Sequence, residues 1–134
     1  MLTNPQGTND ITRSVIGCAI AVHKALGPGL LESVYATCLY LELIAAGHAV
    51  VLRHAIPLTY RDVKIDASYY ADMMVDGRVI VELKAVESLV PIHEMQLNTY
   101  LRLANCPVGL LINFNVVVLK DGIRRVVNGN AREQ

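Results

Sequence analysis

The chain has 134 residues, with 12 Lys and Arg balanced by 12 Asp and Glu, and 53% of its residues are hydrophobic. That size predicts one domain over 1–134 that buries roughly two-thirds of its unfolded surface. The apolar excess over the ~45–50% of ordinary domains excludes a disordered chain, and zero net charge excludes a protein that grips nucleic acid by bulk electrostatics. A local engagement of one phosphodiester remains open. Residues 1–9 and 128–134 are expected as flexible tails.

Thr8, Asn9 and Asp10 offer N-caps for a first helix, whose apolar face is Ile11, Val15, Cys18, Ala19, Val22 and Leu26. Gly27 and Pro28 end it. A second helix is expected from about Leu30 to Ala46, closed by Gly47. Val50–Tyr60, with Pro57 inside, reads as an edge-type strand. Lys64–Ile65, Ser68–Val75 and Val79–Val86 continue the strands. Pro91 opens a third helix to about Leu103. Strands Val108–Phe114 and Val116–Lys120 follow, and Asp121-Gly122 is a hairpin signal into Ile123–Val127. The expected order is ααβββαβββ, an α/β mixed sheet flanked by helices.

The best candidate for a membrane span is interrupted by Glu82 and Lys84, and the polar start lacks a basic-then-apolar leader, so no membrane segment is expected. Cys18, Cys38 and Cys106 are odd in number and lack CxxC spacing. They read as small buried residues of a reducing compartment, which points to the cytoplasm.

Chemistry concentrates between Ala71 and Lys84. Glu82 and Lys84 are two apart in an apolar strand, so both point to one face. Burying two charges there is costly unless an ion pair or a bound divalent cation compensates. Asp72 joins that face only for certain turns. A two-residue turn at Asp76-Gly77 would point it away from Glu82. A three-residue turn, Val75-Asp76-Gly77, would pair Asp72 with Ile80 and make it a diagonal neighbour of Glu82. The longer turn or an equivalent bulge is the expectation. Glu32 and Tyr35 share a face of the second helix, Gly29 is read as permitting close backbone approach, and Gln96 and Tyr100 share a face of the third helix. Each has a duller reading: Glu32 as a helix-dipole partner, Asp72 as a turn former, Glu82 with Lys84 as a solvated strand face, Gln96 and Tyr100 as surface residues.

Gly29-Leu30-Leu31-Glu32-Ser33-Val34-Tyr35 resembles the signature of the GxxExxY proteins, a branch of the PD-(D/E)xK nuclease-like superfamily. The likeness continues through Tyr70-Ala71-Asp72, Val81-Glu82-Leu83-Lys84-Ala85, His93–Leu101, Gly109–Phe114 and Gly122–Arg125, roughly from Asp10 to Val127. Ala71 stands where the superfamily name has proline. The resemblance implies a restriction-endonuclease-like fold. It also implies Glu32, Asp72 and Glu82, with the Leu83 carbonyl, as ligands of Mg²⁺ or Mn²⁺, Lys84 as the residue that positions the metal-bound water or steadies the charge on the scissile phosphate, and Gln96 and Tyr100 as a supporting QxxxY element. The implied activity is nuclease-like hydrolysis of nucleic-acid phosphodiesters, with DNA as the favoured partner. A non-catalytic nucleic-acid or protein binding module of the same fold, and a metal-dependent hydrolase of a small phosphate ester, are the alternatives. A homodimer is compatible with the apolar excess. With Glu32, Asp72 and Glu82 set aside, nine carboxylates face 12 basic residues, so an anionic pocket would sit in a weakly cationic shell.

Overall fold

The computed structural model describes residues 7–66 and 68–129. Helix α1 (Thr8–Leu26) and helix α2 (Glu32–Ala45) lead into β1 (Val50–Ala55), a short hairpin of β2 (Thr59–Tyr60) and β3 (Val63–Lys64), and then β4 (Tyr70–Val75) and β5 (Val79–Lys84). Helix α3 (Pro91–Ala104), β6 (Val108–Asn113), a 3-10 turn (Leu119–Gly122) and β7 (Ile123–Val127) complete the order. Most of the two expected tails lies outside the described residues. Of the remainder, Thr8 and Asn9 are helical, and Asn128 is buried with its Nδ2 donating to the carbonyls of Leu101 and Cys106. Thr8, Asn9 and Asp10 occupy the first turn of α1 and do not cap it; the N-cap is Gly7.

Five strands form one mixed sheet in the order β1-β4-β5-β6-β7. Only β5 and β6 are parallel, and α3 makes the crossover between them. Helices cover both faces, so β5 and β6 read as near-continuous apolar runs without alternation. One face packs Met73, Val75, Val81, Leu83 and Leu110 against Ile11, Val15 and Val22 of α1 and Tyr35, Leu39 and Leu43 of α2. The other packs Met74, Ile80 and Leu111 against Leu97, Tyr100 and Leu101 of α3. Each fully buried aliphatic side chain contributes roughly 1.5–3 kcal/mol, which is why the pattern of apolar residues dominates the architecture. This is the expected α/β fold of restriction-endonuclease-like type. Among the described residues no helix is long and apolar enough to cross a membrane.

The expected order ααβββαβββ is corrected in two places. Val50–Tyr60 is not one strand: it breaks over residues 56–58, where Pro57 has no N–H to donate and Ile56 N bonds Tyr69 O at 2.8 Å. Val116–Lys120 is not a strand either. Asn115 N donates to the Asn113 side chain at 3.2 Å, Val117 is 89% exposed with no strand to pair, and the chain tightens into the 3-10 turn. Asp121 and Gly122 close that turn and do not form a two-residue hairpin. Gly122 passes so near the Asn113 carbonyl that a Cβ there would overlap its oxygen.

Candidate active site

The β4–β5 turn decides which carboxylates share a face. Val75 pairs with Val79, Met74 with Ile80 and Met73 with Val81, so the turn has the three residues Asp76, Gly77 and Arg78. It is a three-residue turn, as the shared-face argument needs, but it lies one residue later than expected. The expected pairing of Asp72 with Ile80 is therefore corrected: one step beyond Met73–Val81, Asp72 stands directly opposite Glu82. Asp76 moves into the turn because other elements hold it there. Its N–H donates to Ala49 O at 2.7 Å, and its carboxylate accepts from Ala49 N at 2.9 Å and contacts His48 Nδ1 at 2.6 Å. His48 Nε2 in turn meets Ser14 Oγ of α1 at 2.7 Å. The histidine thus ties α1 to the turn, and Asp76 (φ 53) and Gly77 (φ 67) take left-handed conformations in succession.

Past Met73–Val81 the backbone ladder gives way to side chains. Asp72 N donates to Glu82 Oε2 at 2.7 Å, and Leu83 N donates to Asp72 Oδ2 at 2.8 Å. Each carboxylate takes an amide that the sheet would otherwise pair, and the two are interlocked across the strands. An extended residue aims its N–H and C=O at the same strand edge, so the Leu83 carbonyl faces the gap that holds the Asp72 carboxylate. On the other side, β1 pairs with β4 at Leu52–Met73 and again at His54–Ala71, skipping Arg53. Arg53 has φ 51, lies over the Tyr70 ring at 4.5 Å, and belongs to the cations that act on Asp72.

The electrostatics are those of anions without enough cations. Burial first, then the Asp72 charge, pushes the Glu82 carboxyl up to about 8, against the opposing pull of the Asp72 amide and Lys84. Burial also raises Asp72, opposed by the Leu83 amide, Lys84 and Arg53. Glu32 is raised by burial and by Asp72, and lowered by Lys84 and the Ala85 amide. Lys84 therefore acts on all three carboxylates, yet among the described residues it forms no ion pair with any of them. The loop behind it is fixed by Asn113, whose Oδ1 accepts from Val86 N at 3.0 Å and whose Nδ2 donates to Val86 O at 3.0 Å; Phe114 N donates to Lys84 O at 3.0 Å.

Glu32 opens α2 because a strained loop delivers it there. Gly29 has φ 99, a conformation that glycine tolerates and L side chains rarely adopt. A Cβ there would meet nothing within 4 Å, so the close-approach reading of Gly29 is corrected: the need is conformational. The Tyr35 hydroxyl donates to Gly27 O at 2.6 Å and accepts from Leu30 N at 3.1 Å, closing the loop, while its buried ring stacks on Phe114 at 4.5 Å. Glycine, glutamate and tyrosine thus act as one device: a kink, the acid it presents, and the clasp.

Tyr100 feels the carboxylates: its hydroxyl is raised by burial, then by Glu82, Tyr69 and Asp72. Gln96, one turn earlier, is exposed and its side chain makes no hydrogen bond among the described residues. His93 Nδ1 accepts from Val90 N at the start of α3. Arg124 lies 3.7 Å from Glu94 and Arg125 donates to Asn9 at 2.7 Å, so the two arginines face opposite sides of the sheet, as strand alternation requires. Asp72 and Glu82 are interlocked, and Lys84, Glu32 and Tyr100 are all in electrostatic reach of them, while the Gln96 side chain is exposed. Among the described residues no three His, Cys, Asp or Glu side chains are gathered tightly enough to hold a metal ion between them. Two carboxylates and a main-chain carbonyl are nevertheless a hard-oxygen set suited to Mg²⁺, which retains several waters. The contacts of Arg53 and Asn113 are not legible in the sequence, because only the register across β1 and the loop closures reveal what they touch.

The model of the PD-(D/E)XK nuclease superfamily matches residues 9–126. No curated protein and no solved structure matches the chain. The match spans nearly all of the sequence, and the chain belongs to this superfamily.

Proposed function

We propose that this member of the nuclease superfamily hydrolyses nucleic-acid phosphodiesters, DNA in particular, with a divalent cation held by Asp72, Glu82 and the Leu83 carbonyl. One observation carries the reading: buried Glu82 and half-buried Asp72 are interlocked through strand amides while Lys84 beside them forms no ion pair among the described residues. When bound, Mg²⁺ or Mn²⁺ supplies a water of lowered pKa and neutralises charge on the phosphate. Asp72 and Glu82 hold that charge in a dry setting where its field is little screened. Lys84, free of a carboxylate partner, steadies the charge that develops on the scissile phosphate. Glu32, which feels the charges of Asp72 and Lys84, is the third carboxylate offered to the cation, and Tyr100, which feels those of Glu82 and Asp72, supports it from the α3 side. Gln96 is a candidate for contact with substrate from the same helix.

The test is incubation of the full chain with labelled single- and double-stranded DNA and RNA in Mg²⁺, Mn²⁺ or EDTA, beside Glu82→Ala and Lys84→Ala. Metal-dependent cleavage that falls about 100-fold or more in each variant supports the reading. Cleavage that survives both substitutions overturns it. In the same spirit, the exposed apolar side chains Leu41 and Ile44 of α2, with Val51 and Leu52 on the edge strand, support a homodimer. Light scattering that finds only monomer would refute that part.

A further inference from the structure

Beside the carboxylates lies a cavity of about 710 Å³ that the proposed chemistry does not use. It opens between the ends of β1 and β4 and the β2–β3 hairpin. Leu58 and Ile65 supply apolar lining, Lys64 a cation, and Tyr69 and Tyr70 an aromatic side. The hairpin is fastened by Ile65 N donating to Leu58 O and by Ile56 N donating to Tyr69 O, each at 2.8 Å. Its two-residue turn, Arg61-Asp62, is left-handed at both positions, and Arg61 lies over the Tyr60 ring at 5.8 Å.

The tyrosines of the lining bring the cavity near the site. The Tyr69 ring is 6.4 Å from that of Tyr100, and Tyr100 feels the charge of Glu82 and Asp72. Tyr70 directly precedes Ala71 and Asp72 on β4 and carries Arg53 on its ring. A phosphodiester lying at Asp72 and Glu82 would therefore have its neighbouring nucleoside beside Tyr69.

We infer that this cavity receives an unstacked nucleotide next to the scissile phosphate, so that the substrate is a single strand or a frayed end and not a paired duplex. The inference rests on the phosphodiesterase reading for the position of the phosphate, but the binding preference is a separate property. Size supports it: the volume falls within the roughly 300–1,000 Å³ of ordinary small-ligand pockets, room for one unstacked nucleotide but not for a duplex. Chemistry supports it as well. Half-exposed aromatic rings give a base its stacking surface without selecting its identity, and Lys64 with Arg53 serves the flanking phosphates. Asp66, the one carboxylate in the lining, repels phosphate and accepts from a base amino group, which fixes the sense in which the nucleotide enters.

The experiment uses the full chain carrying Lys84→Ala, so that nothing is cut, with Mn²⁺ at low salt. Anisotropy reads the binding of a short labelled oligothymidylate and of a blunt hairpin duplex. The single strand is expected to bind about 10-fold or more tightly than the duplex. Adding Tyr69→Ala weakens the single strand by about 5-fold or more, as loss of one stacking contact does, and leaves duplex binding and calorimetric Mn²⁺ affinity unchanged. Equal affinity for the two probes, or single-strand binding indifferent to Tyr69→Ala, overturns the inference. The two readings fail separately. A wild-type chain that cuts nothing while the single-strand preference depends on Tyr69 sinks the phosphodiesterase reading alone. One that cuts both forms alike, with Tyr69→Ala neutral, sinks the cavity alone.

Discussion

Replacing Glu82 with Gln tests the electrostatic account of the site without touching its shape. The carboxyl titrates near 4.5 in an unfolded chain and is pushed up to about 8 in the fold. Between those values the native state holds more protons than the unfolded state, so its stability falls as pH rises. The penalty is absent below 4.5. At about 1.4 kcal/mol per pH unit it reaches roughly 3 kcal/mol at pH 7 and between 4 and 5 kcal/mol above pH 8. Glu82→Gln removes it, at the cost of accepting the Asp72 amide with a neutral oxygen, about 1 kcal/mol. Metal-free protein should therefore show equal or slightly lower stability in the variant at pH 4.5. At pH 8.5 the variant should be more stable by roughly 3 kcal/mol, or about 10 °C in Tm. Urea titrations at the two pH values in EDTA read this directly. A variant that is less stable at pH 8.5, or whose effect does not change with pH, would refute the claim that Glu82 is a charge held against its solvation. Saturating Mn²⁺ should stabilise the wild type more than the variant, because only the carboxylate gains from the cation.

Three further expectations concern how the site is held. Tyr35→Phe keeps the stack on Phe114 but removes both hydrogen bonds that clasp residues 27–31, so urea denaturation should report a loss of about 1–2 kcal/mol; no loss would mean the clasp is idle. His48→Ala frees Asp76 and Ser14 together and should cost about 1–3 kcal/mol, with exchange of the Asp76 amide accelerated; an unchanged exchange rate would leave the turn fixed by other means. Gly122→Ala forces a Cβ onto the Asn113 carbonyl oxygen, and because backbone must give way, Tm should drop by several degrees, for a cost of about 1–3 kcal/mol.

Much of this molecule is local in origin. The apolar spacing from Ile11 to Leu26 needs no partner to declare a helix, and Gly27 with Pro28 ends it wherever it packs. The Val-rich run before Lys84 announces a strand covered on both faces. Side-chain alternation is equally local: it puts Glu82 with Lys84, separates Arg124 from Arg125, and requires an odd-length turn if Asp72 is to join Glu82.

The kind of each element and the residues that share a face are thus set locally, because both follow from the backbone's own period. Tertiary structure decided register and depth. Asp72 faces Glu82 directly because His48 and Ala49, from another part of the chain, hold Asp76 in the turn. Val116–Lys120 forms no strand, despite its β-forming residues, because among the described residues no strand pairs with it and the Val116 carbonyl meets His23 Nε2 instead. Gln96 and Tyr100 share a face on a helical wheel, but only Tyr100 is buried, where it feels the charges of Glu82 and Asp72. Burial of a carboxylate beside its own kind is likewise a property of the assembled sheet, since no residue carries its desolvation with it along an extended chain.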